Sequence, residues 1–271
     1  MIATKSAKNI NVLTRAKADN CLDQRIHSYK NRQSLDLNEW VFREVKAPSR
    51  GTVLELCAGT GAQTSYLAKQ VGSAGRVIAV DASEEALTKT LARCTGIGGE
   101  VIPLCGELDD LADLLKQARI KTNGIDLCFC SYGLYYAQNV EKLIDVIREY
   151  LAPGGELAVV GPYGRNNHEL FELLTASGVK VPEYVIYTSR DFMTLTFLPL
   201  IAEKFPRTIA RMAVNTVSWP NPQEVLTYWR NTTFFEADRE AVVTSHLDDH
   251  FRTNDDFVNR KHIMSVSTFM S

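Results

Sequence analysis

The segment Val53-Leu54-Glu55-Leu56-Cys57-Ala58-Gly59-Thr60-Gly61-Ala62-Gln63-Thr64 constrains this chain more than any other. An apolar run passes into a glycine-bearing turn and then into helix-forming residues, so a buried strand must hand over to a helix within a few positions. Glycine is needed there because a side chain would block close approach of the backbone to a ligand, and because the turn uses conformations that other residues reach only with strain. Twenty residues after Gly61, Asp81 ends a second apolar run, Val77-Ile78-Ala79-Val80-Asp81-Ala82-Ser83. An acid in that place can accept both hydroxyl hydrogens of a ribose. A nucleoside-containing cofactor therefore fits the two elements together.

The pattern continues. Apolar runs short enough to be buried parallel strands stand at Thr52 to Ala58, Arg76 to Val80, Val101 to Leu104, Ile125 to Ser131 and Glu156 to Gly161. Helical stretches separate them at Ala62 to Gln70, Glu84 to Cys94, Leu108 to Ala118 and Val140 to Leu151, the last ending in the stop signal and turn Ala152-Pro153-Gly154-Gly155. Right-handed crossovers turn five such units into an α/β fold with a doubly wound, mostly parallel sheet, whose ligand crevice lies beyond the carboxyl ends of the strands. Asp23 to Val45 reads as a helix with one partly apolar face. Asn167 to Ser177 is another, and Glu183 to Lys204 is rich in apolar and aromatic residues and broken by Pro199. Thr208 to Trp219 and His262 to Phe269 read as strands, with helices at Pro222 to Arg230 and Ala237 to Phe251, so an antiparallel pair completes a seven-stranded sheet. The expected organisation is a helical N-terminal cap (1–50), a cofactor-binding core (51–165), a helical lid and substrate region (166–207) and a C-terminal completion of the sheet (208–271).

Composition narrows the partners. With 271 residues, 45% apolar, and a net charge of −2, the chain has no bulk attraction for polyanions, which argues against nucleic acid. The first residues lack the apolar stretch of a secretory signal, and no run approaches the length of a membrane span, so a cytoplasmic protein with no membrane span is expected. Cys21, Cys57, Cys94, Cys105, Cys128 and Cys130 are scattered through a chain too large to need disulfide staples, so reduced thiols are expected.

Nicotinamide dinucleotides and S-adenosylmethionine (SAM) are both nucleoside cofactors, and three observations favour SAM. Thr64 replaces the third glycine of G-x-G-x-x-G, which lets a helix pack closely under a pyrophosphate. Glu55, facing the ligand, would repel a pyrophosphate and attract an ammonium. The fingerprint also begins about fifty residues into the chain, after helical material, whereas dinucleotide domains often open with it.

Glu55 to Gly61 resembles motif I of the class I SAM-dependent methyltransferases, Asp81 their ribose acid, Gly106-Glu107-Leu108 their adenine-contacting turn, and Leu151-Ala152-Pro153-Gly154-Gly155 the turn before their fifth strand. The resemblance covers roughly residues 50 to 161, and the flanks look more loosely like the small-molecule branch. Two positions depart from the pattern: Cys57 stands where glycine is common, and Tyr135-Tyr136 where many relatives have histidine. The resemblance implies a Rossmann-like methyltransferase fold and SAM as cofactor. It implies that Glu55 contacts the methionine portion with the Gly59 and Gly61 backbone alongside, that Asp81 with Ala82 holds the ribose, that Glu107 and Leu108 meet the adenine, and that Ser131 presents its backbone to the ammonium. Tyr29 is a weaker candidate for covering the sulfonium. The same acids could instead cap helices.

Methyl transfer is an in-line displacement at an activated carbon, so the protein must mainly align a nucleophile and exclude water. A base helps only an alcohol or phenol. His168 and Tyr136 are the catalytic candidates, although a surface histidine and a packing tyrosine are the plainer readings. Tyr132, Tyr135, Tyr136 and Tyr163 could line a pocket for a small-molecule acceptor, and the aromatic residues of 183–206 suggest an aromatic or lipophilic one. The latter could equally form a subunit interface, so a homo-oligomer is possible. Ser131-Tyr132-Gly133-Leu134 does not resemble the Asp/Asn-Pro-Pro-aromatic motif of nucleic-acid amino-methyltransferases. His246 and His250, at i and i+4, have a spacing able to bind metal but no evident third ligand, so no metal site is expected.

Overall fold

The computed structural model describes residues 28–271, which fall into two compact units. The larger comprises residues 37–161, 192–212 and 264–271; the smaller comprises residues 28–36, 162–191 and 213–263.

The larger unit is built on five parallel strands: β1 (Thr52–Leu56), β2 (Arg76–Asp81), β3 (Glu100–Cys105), β4 (Ile125–Ser131) and β5 (Leu151–Pro162), in the order β3-β2-β1-β4-β5. Consecutive residues of the central strands are excluded from solvent, as a sheet covered on both faces requires. Val53, Leu54, Val77, Ile78, Leu127 and Cys128 are all fully buried, and Leu54 sits in register between Ile78 and Cys128. Helices α1 (Leu37–Glu44), α2 (Ala62–Val71), α3 (Glu84–Cys94), α4 (Leu111–Gln117) and α5 (Val140–Tyr150) alternate with these strands. In α5 the buried residues Leu143, Ile144, Ile147 and Tyr150 follow the helical period, and the Asn139 side chain accepts the Lys142 N–H at 2.9 Å to close its first turn.

In the smaller unit, α6 (His168–Ala176), α7 (Glu183–Arg190), α9 (Pro222–Arg230) and α10 (Glu240–Phe251) surround a core of Leu170, Leu174, Val217, Trp219, Trp229 and Leu247. Residues 192–204 belong to the larger unit: a π-helix at Phe192–Phe197 leads into α8 (Leu198–Lys204). Pro199 lies in the first turn of α8, where its missing N–H costs nothing, so it starts a helix as well as breaking one.

Strands β6 (Arg207–Trp219) and β7 (Phe257–Phe269) extend the order to β5-β7-β6, giving seven strands in all. The Met270 N–H donates to the Gly155 carbonyl and the Tyr163 N–H to the His262 carbonyl, so β7 runs antiparallel to β5. Thr208 bonds Thr268 while Trp219 stacks on Phe257, so β6 in turn runs antiparallel to β7. The expected α/β architecture with a terminal antiparallel addition is thus observed.

Some local expectations need correction. The helix expected over Asp23 to Val45 has its first five residues outside the described region, and the rest is interrupted. Gln33 bridges Val217, and the Leu35 N–H donates to Asn215 Oδ1, so this backbone bonds to β6 and helix resumes only at Leu37. Ala152 to Gly155 form a bulge within β5, not a turn before it, because Leu151 already pairs with Ile125. The terminal strand begins at Phe257, five residues earlier than expected, where buried Asn259 donates to Asn167 Oδ1 and accepts the Leu170 N–H. Cys57, Cys94, Cys105, Cys128 and Cys130 are free thiols; Cys21 lies outside the described residues. Among the described residues no helix is long and apolar enough to cross a membrane.

Removal of the α5 cap by Asn139→Ala is expected to lower stability by about 1 kcal/mol. Urea unfolding should show a lower midpoint with an unchanged slope.

Candidate functional site

Four loops at the carboxyl ends of parallel strands are tied to one another in the larger unit. The loop after β1 takes a left-handed backbone three times within five residues, at Cys57 (φ 56°), Gly59 (φ 56°) and Gly61 (φ 78°). A Cβ on Gly61 would lie 2.8 Å from the Thr90 Cα on α3, whereas one on Gly59 would meet nothing within 4 Å. Gly61 thus serves close packing, and Gly59 faces space in which a ligand can approach the backbone. Cys57, without glycine's freedom, adopts the left-handed state at a cost of roughly 1–2 kcal/mol. The Cys130 thiol beside it and its burial both push the Cys57 thiol above its usual range, so it stays protonated.

Asp81, at the end of β2, organises this loop. One carboxylate oxygen accepts the Gly59 N–H at 2.8 Å, the other the Ser83 N–H at 3.0 Å, and its own carbonyl accepts the Gly106 N–H at 3.0 Å. A carboxylate has about four acceptor sites, so two backbone bonds leave capacity for a pair of hydroxyls. Ala82 is exposed beside it. Beyond β3, Glu107 is exposed and Leu108 buried, in a turn that passes into α4. The Asp109 carboxylate then reaches across to accept the Gln138 and Asn139 N–H groups, joining this turn to the loop after β4.

Glu55 is 2% exposed, and its Oε2 has no hydrogen-bond partner among the described residues. Burial raises its pKa from 4.5 to about 8, against a smaller opposing effect of the Thr64 hydroxyl and with a further push from Asp81. That hydroxyl too lacks a partner of hydrogen-bond geometry among the described residues. A buried acid near the end of the central strand, with one oxygen unpartnered among the described residues, calls for a cation or donor.

Ser131 ends β4, and its hydroxyl accepts from Gln63 Nε2 at 3.2 Å; the same amide reaches Asn38 Oδ1 on α1. Asn38, Gln63, Asp109 and Thr90, whose hydroxyl donates to the Gly59 carbonyl at 2.8 Å, are tethers that sequence reading missed. Only Gln63, inside the glycine turn, carries a local signal. After β4, Tyr135 and Tyr136 meet edge to face at 4.8 Å, and Tyr135 meets Phe192 of the π-helix at 5.7 Å, making a continuous aromatic wall. A groove of about 560 Å³ between α1 and α2 is a separate feature; Asn38 belongs to both it and the tether network.

His168 and Tyr29 belong to the smaller unit. His168 opens α6 with Nε2 3.2 Å from Glu172 and Nδ1 3.4 Å from Arg190, so both ring nitrogens are engaged. Tyr29 packs edge-on against Tyr228, with the Lys261 ammonium 3.5 Å over its ring. Tyr163 packs against His262. His246 bonds the Ser177 hydroxyl and His250 the Asp256 carbonyl. No group of three or more candidate metal ligands occurs among the described residues.

Residues 53–155 match the family model described as a methyltransferase domain. No curated protein matches the chain in sequence. Solved structures similar in fold include the YcgJ protein of Bacillus subtilis (16% identity, 86% of this chain and 96% of that one, TM-score 0.56). A putative methyltransferase of Bacillus halodurans is 13% identical over 86% and 98% of the two chains, with a TM-score of 0.55. The arsenic(III) SAM methyltransferase of Chlamydomonas reinhardtii is 16% identical over 86% and 73%, with a TM-score of 0.50.

Because folded Glu55 holds its proton to about pH 8 while an unfolded glutamic acid releases it near pH 4.5, the associated stability is full below pH 4.5 and declines toward pH 8. The loss amounts to at most about 5 kcal/mol. Urea unfolding at pH 5 and pH 8 should show this decline in the parent and a much flatter dependence in Glu55→Gln.

Proposed function

We propose that the protein, whose residues 53–155 match a methyltransferase domain, uses SAM to methylate a small or medium-sized metabolite, on oxygen or nitrogen, with the acceptor positioned under a lid. The observation that carries the reading is the joint state of Asp81 and Glu55. One acid is anchored by two backbone N–H groups with acceptor capacity to spare, and the other is buried with an orphaned oxygen. That pair suits a ligand with a ribose diol at one end and an ammonium at the other. A pyrophosphate would meet a buried carboxyl group there.

When bound, SAM supplies a methyl group on a sulfonium, a carbon already activated for displacement. In this reading Asp81 holds the ribose hydroxyls with Ala82 alongside, and Glu55 takes the ammonium end together with the Ser131 backbone. Gly59 lets the main chain approach and Gly61, packed on Thr90, holds that loop in place, while Glu107 and Leu108 receive the adenine. The chain's remaining task is to orient the acceptor and keep out water. The wall of Tyr135, Tyr136 and Phe192 supports an aromatic or lipophilic acceptor, with Tyr136 as the candidate for orienting it. His168 is less suited to the base role than its place in the sequence suggests, because a guanidinium faces one ring nitrogen and a carboxylate the other.

Calorimetric titration with SAM, S-adenosylhomocysteine and NADH tests the cofactor. Micromolar binding of both sulfur nucleosides, weakened at least tenfold in Asp81→Ala, is expected; binding of NADH alone would defeat the proposal. Once an acceptor is found, Tyr136→Phe should lower kcat if the hydroxyl orients or deprotonates it, and leave SAM affinity unchanged.

A further inference from the structure

We propose that Arg190, with His168 beside it, forms a receptor in the smaller unit for an oxyanion, a carboxylate or phosphate group carried by a small molecule. Arg190 ends α7, and its guanidinium lies 5.2 Å from the centroid of the Phe171 ring. Its Nη2 stands 3.4 Å from His168 Nδ1, and its Nε is buried with no acceptor among the described residues. No carboxylate among the described residues forms an ion pair with it. The nearby acids are committed elsewhere: Glu172 to His168 Nε2 at 3.2 Å, and Glu169 to Arg260.

A half-buried guanidinium without a counter-ion is costly to keep unless something completes it. Its planar fork of donors matches the two oxygens of a carboxylate or phosphate, and the aromatic ring under one face holds that fork in a fixed plane. Arginine can only donate, so His168 Nδ1 must accept and its proton sits on Nε2 toward Glu172. The imidazole is thereby fixed in one tautomer beside the fork. A second cation stands in the same loop. Arg165 is exposed and has no ion pair among the described residues, and the neighbouring Gly164 N–H donates to the Arg190 carbonyl at 2.8 Å. The loop of residues 163–167, which carries Arg165, is thereby bonded to the end of α7.

The test titrates the full chain separately with inorganic phosphate and with benzoate, following the His168 imidazole signals by NMR, alongside R190Q and R190K. Saturable binding of one probe is expected, and which probe binds tells phosphate from carboxylate. R190Q should weaken it at least tenfold and R190K, which keeps the charge and loses the fork, several-fold. Thermal melting checks that each variant is folded; if R190Q is not, R190K carries the comparison. No saturable response to either probe, or undiminished binding in a folded variant, overturns the proposal. SAM titration of the parent distinguishes the two readings: failure to bind SAM would remove the methyltransferase assignment and leave a phosphate or benzoate result standing.

Discussion

The bond from the Gly59 N–H to the Asp81 carboxylate is the constraint on which the site depends. It joins loops from two neighbouring strands whose residues are separated by 22 positions in sequence, and it fixes the orientation of the acid at the same time. A carboxylate held by two backbone donors has few rotamers left, so a ligand would meet it already aimed. The Gly106 N–H on the Asp81 carbonyl and Asp109 on the loop after β4 carry the same tethering along the sheet edge. Four loops thereby behave as one surface, set by strand register.

Against this hydrogen-bonded edge, Glu55 is an electrostatic exception. The interior of the sheet is apolar on both sides of it, Ala79 in one neighbouring strand and Phe129 in the other, and a charge there is disfavoured. Two carboxyl groups in one domain are thus held in opposite conditions: Asp81 is anchored by two backbone donors, and Glu55 Oε2 has no donor among the described residues. The contrast comes from their places in the strand. Asp81 is the last residue of β2 and reaches the loop amides, while Glu55 is one residue short of the end of β1.

Much of this was legible in sequence because parallel strands advertise themselves as short apolar runs and the loops between them as glycine and acid positions. Val53 to Thr64 and Asp81 placed the strand-turn-helix unit and its neighbour, and the element order followed. What stayed hidden depends on partners distant in the chain. The Gln33 bridge to Val217 ends a stretch whose own pattern is helical. The bulge at Ala152 to Gly155 looks like a turn until the pairing of Leu151 is known. Gln63, Asn38 and Asp109 are ordinary polar residues whose role exists only once three elements meet. The smaller unit, assembled from separate stretches, has no linear signature, and the orphaned guanidinium of Arg190 within it could not be foreseen from an Arg in an apolar segment.

The left-handed backbone of Cys57 has a consequence for rigidity. Glycine at that position would move freely between mirror-image conformations in the unfolded chain and would retain some of that freedom in the loop. A cysteine has fewer conformations to lose on folding, and in the fold it occupies a narrow well with its Cβ and Sγ pressed against Gly133. The loop therefore exchanges local strain for stiffness. A molecule arriving at the sheet edge meets a backbone whose entropy was removed during folding, and its affinity need not be reduced by ordering that loop a second time.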